Sequence, residues 1–121
     1  MPTEKQQLGR KGEEMAADFL SKKGYEVIEK NFYKRMGEID LIAYDPEWNE
    51  IVFVEVKTRR SKTFGYPEEA VTERKMQKMA KAAESWLLKN KKTTIKWRLD
   101  IISIEIKGKD VGFHQFKNIS L

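Results

Sequence analysis

Two apolar stretches, GEIDLIAYD at residues 37–45 and IVFVEVKT at residues 51–58, carry charged side chains where a buried strand pair should have none. Residues 37–44 alternate as a strand, with Ile39, Leu41 and Ala43 pointing one way and Glu38, Asp40, Ile42 and Tyr44 the other. Turn residues Asp45-Pro46-Glu47-Trp48-Asn49 lead into a second strand at 51–58. There Val52, Val54 and Val56 share one face, leaving Ile51, Phe53, Glu55 and Lys57 on the other. The pair predicts an antiparallel hairpin. Acidic residues are poor strand formers, and burying an unpaired carboxylate is costly. Three carboxylates and an ammonium on adjacent strands therefore need a use.

Two uses are open. Asp40 or Glu38 could pair across the ladder with Lys57 on a solvated face, worth about 0.2–1 kcal/mol. Alternatively, carboxylates from neighbouring strands could chelate Mg²⁺, with the lysine facing a phosphate or a water. The chain has no cysteine and one histidine, His114, so thiolate sites and paired imidazoles are excluded. Any metal must be held mainly by carboxylates and carbonyls, the ligands of Mg²⁺, Mn²⁺ or Ca²⁺. Twenty-four basic residues against 19 acidic give a formal charge of +5. That excess favours a polyanionic partner, because basic side chains displace counterions from phosphates.

With 121 residues, of which 40% are hydrophobic and 36% charged, the sequence predicts a single globular domain over 1–121. No apolar run approaches the ~18–20 residues that span a bilayer. The first residues, MPTEKQQLGRKGEE, are basic but lack the apolar stretch of a secretory signal. The expectation is a cytoplasmic protein that does not enter a membrane.

Around the hairpin, residues 8–23 read as a helix stopped by Gly24 and weakened in its first turns by Gly9 and Gly12. A strand is expected near residues 25–32. Residues 59–67 read as a loop, and a helix capped near Thr72 runs to about Lys89 on a stripe of Met76, Met79, Ala80, Ala83, Trp86 and Leu87. Strands follow at 95–106 and 111–116. The order predicts mixed α/β architecture around one sheet. Arg98 and Asp100 share a strand face and are expected to pair with each other or with site charges. Phe32, Tyr33, Phe64 and Tyr66 either stack on bases or close the core edge.

The triplet Glu-x-Lys is not specific. With 14 Glu and 18 Lys about two are expected by chance, and there are three. Glu73-Arg74-Lys75 lies on a helix, and Glu105-Ile106-Lys107 ends a strand whose nearest upstream acid, Asp100, lies on that same strand and cannot oppose it. Only Glu55-Val56-Lys57 combines a strand with opposing carboxylates.

The stretches GRKGEEMAADFLSKKGYEVIEKNFYKRMGEIDLIAYD, IVFVEVKTRRSKTFGYPEEAVTERK and IKWRLDII, covering residues 8–105, resemble the YraN-like (UPF0102) family of small bacterial proteins. That family is placed in the PD-(D/E)xK, restriction-endonuclease-like nuclease superfamily. The resemblance implies an α/β fold with an αβββαβ core, a mixed central sheet flanked by helices. It also extends to archaeal Holliday-junction resolvases, which add a glutamate from the first helix. By position, Asp40 matches the first motif aspartate, Glu55 the second acid, Lys57 the lysine and Glu13 the helix glutamate. Ile39 stands where the superfamily's name has proline.

The activity implied is Mg²⁺- or Mn²⁺-dependent hydrolysis of phosphodiester bonds in DNA, with branched or repair-intermediate structures among the substrates. Asp40, Glu55 and the Val56 carbonyl would hold the metal, and Glu13 would complete its shell or accept a proton. Lys57 would orient the attacking water or stabilise the transition state, with Glu38 supporting from behind. Arg59, Arg60 and Lys62 are placed for the phosphate backbone, as is Lys75, whose plainer reading is a solvated lysine. Chemistry on two strands would favour a homodimer. The alternative is a non-catalytic nucleic-acid-binding module that retains the nuclease fold.

Overall fold

The computed structural model describes residues 1–60 and 72–119. Helix α1 (Glu4–Lys22) is followed by strands β1 (Glu26–Lys34), β2 (Gly37–Asp45) and β3 (Glu50–Arg60). Helix α2 (Glu73–Lys89) and strands β4 (Lys96–Lys107) and β5 (Asp110–Phe116) complete the order. The architecture is mixed α/β, as expected, with an open sheet in the order β1-β2-β3-β4-β5. All neighbours are antiparallel except β3 and β4, which run parallel. A parallel neighbour cannot be reached by a tight turn, so the crossover between them carries α2. Among the described residues, no helix is long and apolar enough to cross a membrane.

The helices cover opposite faces. Met79, Ala82, Ala83, Trp86 and Leu87 of α2 pack with Phe32, Ile39, Ile42, Ile51, Phe53, Leu99 and Ile101. Ala16, Ala17 and Leu20 of α1 pack with Tyr25, Leu41, Ala43, Val52, Val54, Ile102, Ile104 and Ile106. The valine and phenylalanine faces of β3 are those the sequence predicts. Helix α1 begins earlier than expected, because Thr3 and Gln6 form a reciprocal capping box at its start. Thr72 caps α2 as predicted, its hydroxyl accepting the Lys75 N–H at 3.1 Å.

Strand β2 corrects the alternation read from the sequence. Ile39 lies in the α2-side core, whereas Leu41 lies in the α1-side core. Unbroken pleating would put both on one face, so the period breaks at Asp40. The β1–β2 register steps from Phe32↔Ile39 to Lys30↔Leu41 without pairing Asn31 and Asp40. Asn31 is left-handed there, with φ +55°, a conformation its short polar side chain tolerates. Glu38 and Asp40 therefore do not simply share a pleated face.

Two glycines set how closely the helices approach. A Cβ on Gly12 would sit 1.8 Å from Thr58 Oγ1, so only glycine lets α1 press onto β3 there. A Cβ on Gly37 would lie 2.7 Å from the Lys78 carbonyl oxygen of α2. What reads in the sequence as a weak point of α1 is the contact that docks it.

Arg98 pairs with Asp100 as expected, but its other partners lie at the β2–β3 turn. Its guanidinium donates to Asp100 through Nε at 3.0 Å, and through Nη1 to Asp45 and Glu50 at 2.9 Å each. Nη2 donates to the Tyr25 hydroxyl at 3.0 Å. Asp100 also accepts from Gln115 and from the Asn118 N–H. Burial opposes Arg98's charged form, but its bonds to Asp100, Glu50 and Asp45 outweigh burial and raise its pKa.

Candidate functional site

The β2–β3 ladder runs from Asp45↔Glu50 to Leu41↔Val54 and stops there. Beyond that point β3 stays paired with β4 as far as Arg60↔Ile106, so its edge facing β2 is left open. Asp40 fills the first vacancy: its Oδ2 accepts the Val56 N–H at 2.7 Å. A strand residue presents its N–H and C=O to the same side, so the Val56 carbonyl faces this gap as well. The kink at Asp40 and the end of the ladder together leave the strands splayed, with one carboxylate on each.

Glu55 is 5% exposed. Its Oε1 lies 3.7 Å from Lys57 Nζ and 3.7 Å from Lys75 Nζ, distances of ion pairs rather than hydrogen bonds. Its Oε2 is buried without a hydrogen-bond partner. Burial, and then the charge of Asp40, push the Glu55 carboxyl up to about 7 against the pull of Lys75 and Lys57. Asp40 is also raised, chiefly by burial, with the Val56 N–H opposing and Glu38 adding to the rise. The site thus holds its negative charge at a cost, a common property of reactive sites.

Glu13 reaches Asp40 from α1. Its carboxyl is raised by burial and then by Asp40's charge. Gly12 explains the reach, because the close contact with Thr58 brings the next residue of α1 to the end of β2. The expected ion pair from Lys57 to Asp40 or Glu38 is replaced by one to Glu55 on its own strand. Glu38 is exposed. Among the described residues, no three acidic or histidine side chains gather closely enough to form a metal cage on their own.

Lys75 is more than a solvated lysine. The Thr72 cap fixes its backbone in the first turn of α2, and its side chain meets Glu55. Arg59 and Arg60 belong to the end of β3, not to a loop as the sequence suggests. Alternation turns them to opposite faces. Arg59 continues the Glu55–Lys57 face, while Arg60 lines a groove with Lys5 and Lys11 of α1. Lys62, with Phe64 and Tyr66, lies outside the described residues. The sequence reading overlooked Asn31, although an asparagine inside a β-branched and aromatic strand is itself a signal.

The comparisons with known proteins agree with one another. Residues 12–104 match the model of "Uncharacterised protein family UPF0102", a span that includes Glu13, Asn31, Asp40, Glu55, Lys57 and Lys75. A UPF0102 protein of Caldicellulosiruptor saccharolyticus is 42% identical over 94% of this chain and 97% of its own length. One from Caldanaerobacter subterraneus is 44% identical over 95% of this chain and 93% of its own. Another, from Syntrophomonas wolfei, is 48% identical over 84% and 86%. With the family model and near full-length relatives pointing the same way, the chain belongs to the UPF0102 family.

Proposed function

We propose that this protein is a metal-dependent nuclease that hydrolyses phosphodiester bonds in DNA, with Asp40, Glu55 and Lys57 at its centre. The observation that carries the reading is Glu55: a buried carboxylate with one oxygen unpartnered, beside a second carboxylate and two ammonium groups. A purely structural cluster has no use for the free oxygen, and a passive phosphate binder has no use for acids that repel phosphate.

The donors suit Mg²⁺ or Mn²⁺, being hard oxygens: Asp40, Glu55 and the Val56 carbonyl, with Glu13 adjoining through Asp40. When bound, such an ion acidifies a water and offsets charge on the phosphate. The chain's own groups do the rest. Asp40 keeps the end of β2 tied to Val56, which fixes both carboxylates across the gap. Lys57 and Lys75 oppose the charge of Glu55 while it is empty and are placed to meet the charge that grows on a phosphoryl oxygen. Glu13, whose carboxyl is raised by burial and by Asp40's charge, is suited to take up a proton released nearby.

A non-catalytic nucleic-acid-binding module is the second reading, favoured by the lack of a three-acid cage among the described residues. Cleavage of junction, flap and duplex DNA with Mg²⁺ or Mn²⁺ separates the two. The wild type is expected to cut, and Lys57→Ala and Asp40→Asn to lose roughly 100-fold or more. Wild type and variants that are equally inert but still bind DNA would replace the nuclease with the binding module.

A further inference from the structure

The tip of the β1–β2 hairpin, made of Tyr33 and Lys34 at the end of β1 and the turn residues Arg35 and Met36, presents two large apolar side chains to solvent. Tyr33 is 75% exposed and Met36 42% exposed, whereas the neighbouring Phe32 is buried in the core. The turn is held firmly: Gly37 packs its backbone against the Lys78 carbonyl of α2, and the ladder stays paired through Tyr33↔Glu38 and Lys34↔Gly37. Between turn and helix lies a cleft of about 310 Å³ lined by Tyr33, Met36, Glu38, Lys75, Lys78 and Met79. Lys75, which lines this cleft, also pairs with Glu55 at 3.7 Å, and Glu38 of its lining lies two residues from Asp40 on β2.

Lys34, Arg35, Lys75 and Lys78 give the cleft four cations against Glu38 alone. A cation-lined groove with one exposed aromatic ring and one polarizable thioether is suited to a nucleotide: the cations take the phosphates and the ring takes the base. Bases in an intact duplex have both faces covered by their neighbours. A base can swing out into the cleft and stack on the tyrosine only where it is unpaired, at a gap or in a single-stranded segment.

We infer that this turn is a base-stacking subsite, in which Tyr33 holds an unpaired base next to the phosphate facing Asp40 and Glu55. The proposal deepens the nuclease reading and rests on it for the identity of that phosphate, although the subsite itself requires only that the protein bind nucleic acid. Tyr33 positions the strand, and Met36 closes the other side of the base. Discontinuous nucleic acid is thereby preferred to blunt duplex without any reading of sequence.

The test uses the full chain in chelating buffer, so that binding is read without cleavage. The probes are a blunt duplex and the same duplex carrying a single-stranded overhang with 2-aminopurine at the junction. The wild type is expected to prefer the overhang by about tenfold and to quench its fluorescence. Tyr33→Ala should abolish both effects while leaving blunt-duplex affinity within about twofold, and Tyr33→Phe should retain them. An unchanged preference in Tyr33→Ala, or no nucleic-acid binding by the wild type, overturns the subsite. A Tyr33-dependent preference in a protein that never cleaves would uphold the subsite and remove the nuclease reading instead.

Discussion

Two charge clusters sit in this small sheet, and they are built on opposite plans. At the β2–β3 turn, Arg98 is surrounded by Asp45, Glu50, Asp100 and Tyr25, each within hydrogen-bond distance. At the splayed end of the same strand pair, Glu55 has two ammonium groups at 3.7 Å and an oxygen with no partner. The first cluster spends its bonding capacity internally, tying the turn, the start of β1 and the chain after β5 into one network. The second keeps capacity in reserve. Under the proposed function, the unpartnered oxygen of Glu55 is the capacity that a bound metal ion would use.

Removing a central cation should tell the clusters apart most clearly. Arg98→Met leaves Asp45, Asp100 and Glu50 facing one another in the interior, and should cost about 3–5 kcal/mol in urea denaturation. Lys57→Met should cost under about 1 kcal/mol, because Lys75 remains and Glu55 can take up a proton. Comparable losses in the two variants would dissolve the distinction.

The next effect is one of pH. Glu55 titrates near 7 when folded and near 4.5 in the unfolded chain, so between those values the folded protein holds a proton that the unfolded one releases. Its contribution is complete below about pH 4.5 and is lost as pH rises through about 7. In chelating buffer, Glu55→Gln should remove that decline and be the more stable protein at pH 8 by roughly 2–3 kcal/mol. Wild-type and variant stability curves that stay parallel from pH 5 to pH 8 would assign the proton elsewhere.

The smallest effect concerns the helix over the open end. Gly12→Ala forces a Cβ against Thr58 Oγ1 and should cost about 1–3 kcal/mol by thermal unfolding. Thr58→Ala in the same chain should recover part of this but not all, because Thr58 Cβ itself would lie 2.9 Å from the new atom. A Gly12→Ala protein as stable as wild type would show that α1 has room to slide.

Much of this was legible in the sequence, and the exceptions share a cause. Alternation and turn chemistry point to the β2–β3 hairpin, a threonine cap to the start of α2, and the stripe through Met79, Ala83, Trp86 and Leu87 to the face that α2 buries. All of these are local. The kink at Asp40 was not visible, because it depends on Asn31 in the neighbouring strand and on a ladder that ends early. Gly12 looked like a helix weakness because Thr58, the atom group it accommodates, is far away in sequence. The partners of Arg98 at Asp45 and Tyr25 were hidden for the same reason. The capping box at Thr3 was local and could have been read. Polar first turns without an apolar stripe obscured it.

The parallel pairing of β3 with β4 has a consequence for the order in which the site is assembled. Asp40 and Glu55 lie on strands joined by a short turn, so the closure that brings them together spans few residues and is entropically cheap. Asp40 and Glu55 are 15 residues apart and Glu55 and Lys75 are 20 apart, whereas Glu55 pairs in the ladder with Ile101, 46 residues on. Contacts of high sequence separation form slowly. The charged groups of the site are therefore drawn together by shorter closures than the β3–β4 ladder beside them.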